Sequence, residues 1–124
     1  MIRSLFVLAS TVACLSAAAQ TQAQFAGTWA VKWQTNSGRL EESELVITDN
    51  SGSWRTAHHV KKDPCVGQKA PVVFDEIIGS EAKITLKFSE VLQGCTDARI
   101  RINKIDDNTM TGTRGKSVLS LERK

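Results

Sequence analysis

The segment Ala82–Phe88 reads AKITLKF, and its alternation is unbroken: Ala82, Ile84, Leu86 and Phe88 are apolar, while Lys83, Thr85 and Lys87 are polar. Successive side chains of a strand point to opposite faces, so this pattern predicts a β-strand with one face in a core and the other in water. The same period of two runs outward in both directions. Towards the C-terminus, beyond QGCTD, the segment ARIRINKI sets Ile100 and Ile102 against Arg99, Arg101 and Asn103. TMTGT (Thr109–Thr113) and SVLSLER (Ser117–Arg123), with Leu119 and Leu121 inward, follow across turns at Asp106–Asn108 and Arg114–Lys116. Towards the N-terminus, APVVFDEII (Ala70–Ile78) ends at Gly79-Ser80, and SWRTAHHV puts Trp54, Thr56, His58 and Val60 on one side. ELVIT then supplies Leu45 and Ile47, and TWAVKWQ supplies Trp29, Val31 and Trp33.

NSGR (Asn36–Arg39) and DNSG (Asp49–Gly52) read as turns, and KKDPCVGQK (Lys61–Lys69) as a loop, since its proline and glycine interrupt a strand. SEVLQG (Ser89–Gly94) is the one place where a helical turn fits. About eight short strands with hairpin-length connections predict an all-β fold: a small antiparallel up-and-down β-barrel, whose closure removes the exposed edges of the sheet. Trp29, Trp33, Ile47, Trp54, Phe74, Ile84, Leu86, Phe88, Ile100, Ile102, Leu119 and Leu121 are the expected interior residues. An interior of this size is filled by side chains or holds one small ligand, and filling is the default expectation.

The N-terminus is patterned for export. Met1-Ile2-Arg3 carries one positive charge, an apolar run follows from Ser4 to Ala19, and Ala17 and Ala19 fit an A-x-A cleavage site. A secretory signal peptide over residues 1–19 is expected, with cleavage as late as Ala23 as the alternative, leaving a single domain over residues 24–124 in the periplasm or outside the cell. The run is shorter than the roughly 20 apolar residues of a membrane-spanning helix. Cys14 follows Thr11, where a lipidation signal places a large aliphatic residue, which argues against a lipid anchor. Of the three cysteines, Cys14 leaves with the signal. Cys65 and Cys95 are then expected to pair in an oxidising compartment. The formal charge of +3 falls to +2 without Arg3. That balance points to no nucleic-acid partner, since such binding needs a concentrated basic face. The basic cluster RTAHHVKK (Arg55–Lys62) and the acidic EESE (Glu41–Glu44) are expected to be solvated strand ends or loops.

Gly27-Thr28-Trp29 at the first strand resembles the start of calycin-type barrels, the lipocalins, fatty-acid-binding proteins and avidins. In lipocalins a first-strand tryptophan closes one end of the barrel under an arginine from the last strand. The resemblance implies that role for Gly27, Trp29 and Arg123, the arginine of VLSLERK. CVGQKAPVVF, VLQGCTDARIRI and MTGTRGKSVLSLER are similar to a type of small exported bacterial protein. The chain departs from the better-known families in being shorter than typical lipocalins and in lacking the avidin pattern of biotin-binding Asn, Ser and Trp residues, so biotin binding is not implied.

Catalysis finds no motif to rest on: there is no tyrosine, no G-x-S-x-G elbow, no H-E-x-x-H and no glycine-rich phosphate loop. Asp75-Glu76 and Asp106-Asp107 are neighbours that diverge on a strand or lie in a turn, unlike the facing carboxylates of a glycosidase. His58 and His59 point to opposite faces of a strand and so do not chelate one ion together. The expectation is a non-catalytic, monomeric barrel with no metal or cofactor. It would bind a small molecule or glycan through Trp33, Trp54 and His58 at its open end. The alternative is a protein-binding inhibitor or accessory factor acting through KKDPCVGQK, a reading supported by the resemblance to small-barrel periplasmic protease inhibitors with a Gly-x-Trp start and one disulfide. A cavity lined with polar groups favours the first reading, a solid core the second.

Overall fold

A computed structural model describes residues 21–56 and 64–124. Its eight strands are β1 (Gly27–Gln34), β2 (Leu40–Ile47), β3 (Gly52–Thr56), β4 (Ala70–Ile78), β5 (Glu81–Leu86), β6 (Ala98–Lys104), β7 (Thr109–Arg114) and β8 (Ser117–Arg123). Each pairs antiparallel with the next, and β1 pairs with β8, so the sheet closes into an up-and-down barrel. Closure satisfies the ladder hydrogen bonds that an open edge would leave to solvent. Two 3₁₀ turns, Gln22–Phe25 and Phe88–Glu90, complete the regular structure among the described residues. AKITLKF therefore leaves the strand at Leu86, and Phe88 stays buried from within the second turn.

Alternation decides the interior. Trp29, Val31, Leu45, Ile47, Trp54, Ile84, Leu86, Ile100, Ile102, Met110, Leu119 and Leu121 are all at most 2% exposed. Burying each such side chain contributes about 1.5–3 kcal/mol. Phe25 plugs the barrel from the first turn, 5.7 Å from the Phe74 ring. β4 breaks the period. Its register shifts between Phe74 and Glu76, so Ile77 rather than Glu76 packs against the core. An extra residue at a bulge is the ordinary cause of such a change of face.

The two ends of the barrel differ. At one end, the floor, the strands are joined by the short turns 48–51, 79–80 and 105–108. At the other, the mouth, two of the connections are long, 57–69 and 87–97. Cys65 and Cys95 are joined by a disulfide, Cα to Cα 5.7 Å, that ties these two long connections together. Beneath the first, Ser53↔Pro71 and Trp54↔Ala70 pair β3 to β4 among the described residues. No helix among the described residues is long and apolar enough to cross a membrane. Residues 1–20, with the expected signal peptide, and residues 57–63, with His58 and His59, lie outside the described residues.

The segment EESE is the opening half of a strand, solvated at Glu42 and Glu44 as expected but not at Glu41 and Ser43. It lies within β2, where Glu41 and Ser43 hold the inward phase of Leu45 and Ile47 and are 8% and 4% exposed. Arg114, expected in a turn, is the last residue of β7 and holds the inward phase of Met110 and Gly112. In both places a polar side chain at an inward position hid the strand, because hydrophobic alternation is the signal that marks one.

Candidate functional site

The floor is a closed assembly. The Arg123 guanidinium carbon stands 4.5 Å from the centroid of the Trp29 ring. Its Nη1 donates to the Ala26 carbonyl at 2.9 Å and its Nε to the Asp107 carbonyl at 2.7 Å. The Trp29 indole N–H donates to Phe25 O at 3.0 Å, so the ring is held at its polar edge and covered on its face. Gly27 adopts φ +145°, and a Cβ there would lie 2.2 Å from Arg123 Nη1. The backbone conformation and the close approach both require glycine at this point. Lys104 adds a bond from Nζ to Gln24 O at 3.0 Å, and Gln24 in turn reaches Gly79 O. Gly27, Trp29 and Arg123 are thus brought together into a sealed end that offers a ligand no room.

The mouth is built differently. A cavity of about 450 Å³ opens there, lined chiefly by Trp33, Glu41, Thr56, Phe88 and Arg114. Val66 and the Cys65 end of the disulfide form part of its rim. The lower part of the barrel is filled, as expected by default, but the filling stops at a layer formed by Trp54. That residue is wholly buried, and its indole N–H donates to Thr56 Oγ1 at 3.2 Å. Ser43 Oγ donates to the same hydroxyl at 3.3 Å, so polar groups begin at this level. Trp33 lies on Trp54 with ring centroids 5.9 Å apart and planes tilted by 42°. It is the half-buried member of the pair and the tryptophan that lines the cavity, while Trp54 supports it from beneath.

Glu41 and Arg114, the two charged side chains of the lining among the described residues, come from β2 and β7. No ion pair within 4.0 Å joins either to an opposite charge among the described residues. Burial pushes the Arg114 guanidinium below its ordinary value, while a guanidinium remains charged at any physiological pH. The Arg114 guanidinium is thus partly withdrawn from water with no carboxylate within 4.0 Å among the described residues. Sequence reasoning singled out Trp33 and passed over Glu41, Arg114 and Thr56 as site residues. Strand parity, counted from Leu45 and from Met110, is the signal that places the two charges inside.

The rim beside the disulfide is ordered by charge. Asp97 Oδ1 accepts from the Ser89 backbone N–H at 2.9 Å and its Oδ2 lies 3.1 Å from Lys87 Nζ. The Ser89 hydroxyl and amide, and then the Lys87 ammonium, hold the Asp97 carboxyl down at about 2. Among the described residues no group of three His, Cys, Asp or Glu side chains is gathered that could hold a metal ion. Compared with family models, curated proteins and solved structures, the chain matches none.

Proposed function

We propose that this protein is an exported, non-catalytic barrel of calycin type that binds a small molecule or glycan in its mouth. The observation that carries the reading is the cavity of about 450 Å³ lined by Trp33, Glu41 and Arg114 above an otherwise packed core. Its size falls in the range of about 300–1,000 Å³ typical of small-ligand pockets, and an apolar wall with a few convergent polar groups is their usual chemistry. Tryptophan is well suited to such a wall, because its flat apolar face covers a large area at low entropic cost. The sealed floor and stapled rim support a rigid container, in which little ordering cost is left for the ligand to meet. Cys65–Cys95 and the export pattern of the N-terminus support an oxidising compartment, periplasmic or extracellular.

The three tryptophans make the test direct. Each contributes one indole N–H signal to a ¹H–¹⁵N spectrum, and those of Trp29 and Trp54 are already engaged inside the protein. In titrations with monosaccharides, small organic acids and short peptides, a binding probe shifts the Trp33 indole saturably and the Trp29 indole least. Saturable shifts on the outer strand faces, with Trp33 unmoved by every probe, would contradict the reading. They would favour the protein-binding alternative, in which the loops around Cys65 carry the contacts.

A further inference from the structure

Resting on that reading of the mouth as a binding site, we propose that its ligand is a small zwitterion with an apolar body, of the class of a short peptide with both termini free. Glu41 takes its ammonium group and Arg114 its carboxylate.

Glu41 is 8% exposed, faces the cavity and receives no hydrogen bond or ion pair from a described residue. Arg114 faces the same cavity, is partly withdrawn from water, and has no carboxylate within 4.0 Å among the described residues. Elsewhere the interior satisfies its polar groups from within: the indoles of Trp29 and Trp54 and the hydroxyl of Ser43 all have partners. Among the described residues, these two unpaired charges are therefore exceptions, and both line one cavity.

Register sets their separation. Glu41 stands opposite Trp33 on β1. Trp33 stands opposite Leu119 on β8, and Leu119 opposite Gly112, two residues before Arg114 on β7. Glu41 and Arg114 are thus three strands apart in a barrel of eight, about 14 Å along the wall at the usual strand spacing, and face one another from well-separated parts of the rim. No ion pair within 4.0 Å joins the two.

That geometry selects by charge. A simple anion on Arg114 meets the field of Glu41, and a simple cation on Glu41 meets that of Arg114. A molecule carrying both charges at its two ends satisfies both, and each bond formed away from water is stronger than a solvated one. A guanidinium binds a carboxylate through two parallel N–H bonds, which also fixes the direction of the ligand. Trp33, Phe88 and Val66 supply the apolar wall between the ends.

Leucylalanine, its N-acetyl form and its C-terminal amide are the probes, followed by the Trp33 indole signal and by calorimetry on the oxidised protein. The free dipeptide is expected to bind saturably and each capped form at least tenfold more weakly. In Arg114→Gln the amide and the free dipeptide should bind alike; in Glu41→Gln the acetylated and free forms should bind alike. The Trp29 and Trp54 indole signals report that each variant keeps the fold. Equal binding of capped and free forms, or charge preferences that survive both substitutions, would overturn the proposal while leaving a binding mouth intact. So would a Trp33 shift with uncharged probes and none with leucylalanine. If no probe of any class moves Trp33, the binding reading falls together with this one.

Discussion

Arg123 shows how one side chain closes a barrel. It stacks on Trp29 and donates to two carbonyls from different floor segments, so it joins the first strand, the last strand and the 105–108 turn. A cation–π contact contributes about 0.5–2 kcal/mol and a charged hydrogen bond about 1.5–3, of which part returns as hydration in the unfolded chain. Arg123→Ala should therefore lower stability by about 2–4 kcal/mol in denaturant unfolding. Gly27→Ala should cost about 1–3 kcal/mol, through strain at φ +145° and displacement of the guanidinium. Because both act on one contact, the double variant should lose less than the sum of the two. Additive losses would show that Gly27 and Arg123 act independently. Asp97 gives a prediction in pH. Its folded value of about 2 lies below the ordinary 3.8, so its contribution is fully present above pH 3.8 and is lost as pH falls through about 2. Asp97→Asn should flatten the stability of the protein across that window, measured by thermal unfolding at a series of pH values. An unchanged acid limb would remove Asp97 from the account.

At the scale of elements, the strands were legible wherever alternation was hydrophobic. AKITLKF, ARIRINKI and SVLSLER announced β5, β6 and β8 because apolar and polar residues alternate without exception in their cores. The first half of β2 was not legible, since EESE carries carboxylates on both faces and no period survives. The end of β7 was hidden by Arg114 beside Gly115, a pair that reads as a turn. These two blind spots are also where the cavity draws its charges, because charged side chains at inward positions break the pattern by which a core is recognised. The disulfide belongs to this scale as well. A loop of its length contributes about 3.5–4 kcal/mol in the chain-entropy model. It also ties the connection between β3 and β4 to the one between β5 and β6. Reduction should lower Tm and raise amide exchange first at the mouth, in 64–69 and 88–97, with the floor strands protected to higher reductant-induced instability. Uniform loss of protection from both ends would contradict this ordering.

The whole molecule is polarised along its axis, with tight turns and a sealed floor at one end and long, cross-linked connections around a charged cavity at the other. On the proposed binding reading, floor variants such as Arg123→Ala should change Tm with little effect on binding, and Trp33→Ala should change binding more than Tm. The N-terminal segment joins the stable end. Gln22 donates from Nε2 to the carbonyls of Thr48 and Ser51 at 3.0 and 2.7 Å, contacts that cleavage after Ala19 retains and cleavage after Ala23 removes. Gln22→Ala, which removes both bonds, should accordingly lower Tm, measured by thermal unfolding; an unchanged Tm would show that these contacts are dispensable.

The central claim, a barrel whose mouth holds a small ligand, is tested most directly by native mass spectrometry of the unreduced protein purified from its own compartment. The account predicts the processed chain, two daltons light for its disulfide, carrying an additional small-molecule mass that Trp33→Ala diminishes. A bare chain at every gentle ionisation condition, or an adduct that Trp33→Ala leaves unchanged, would contradict it.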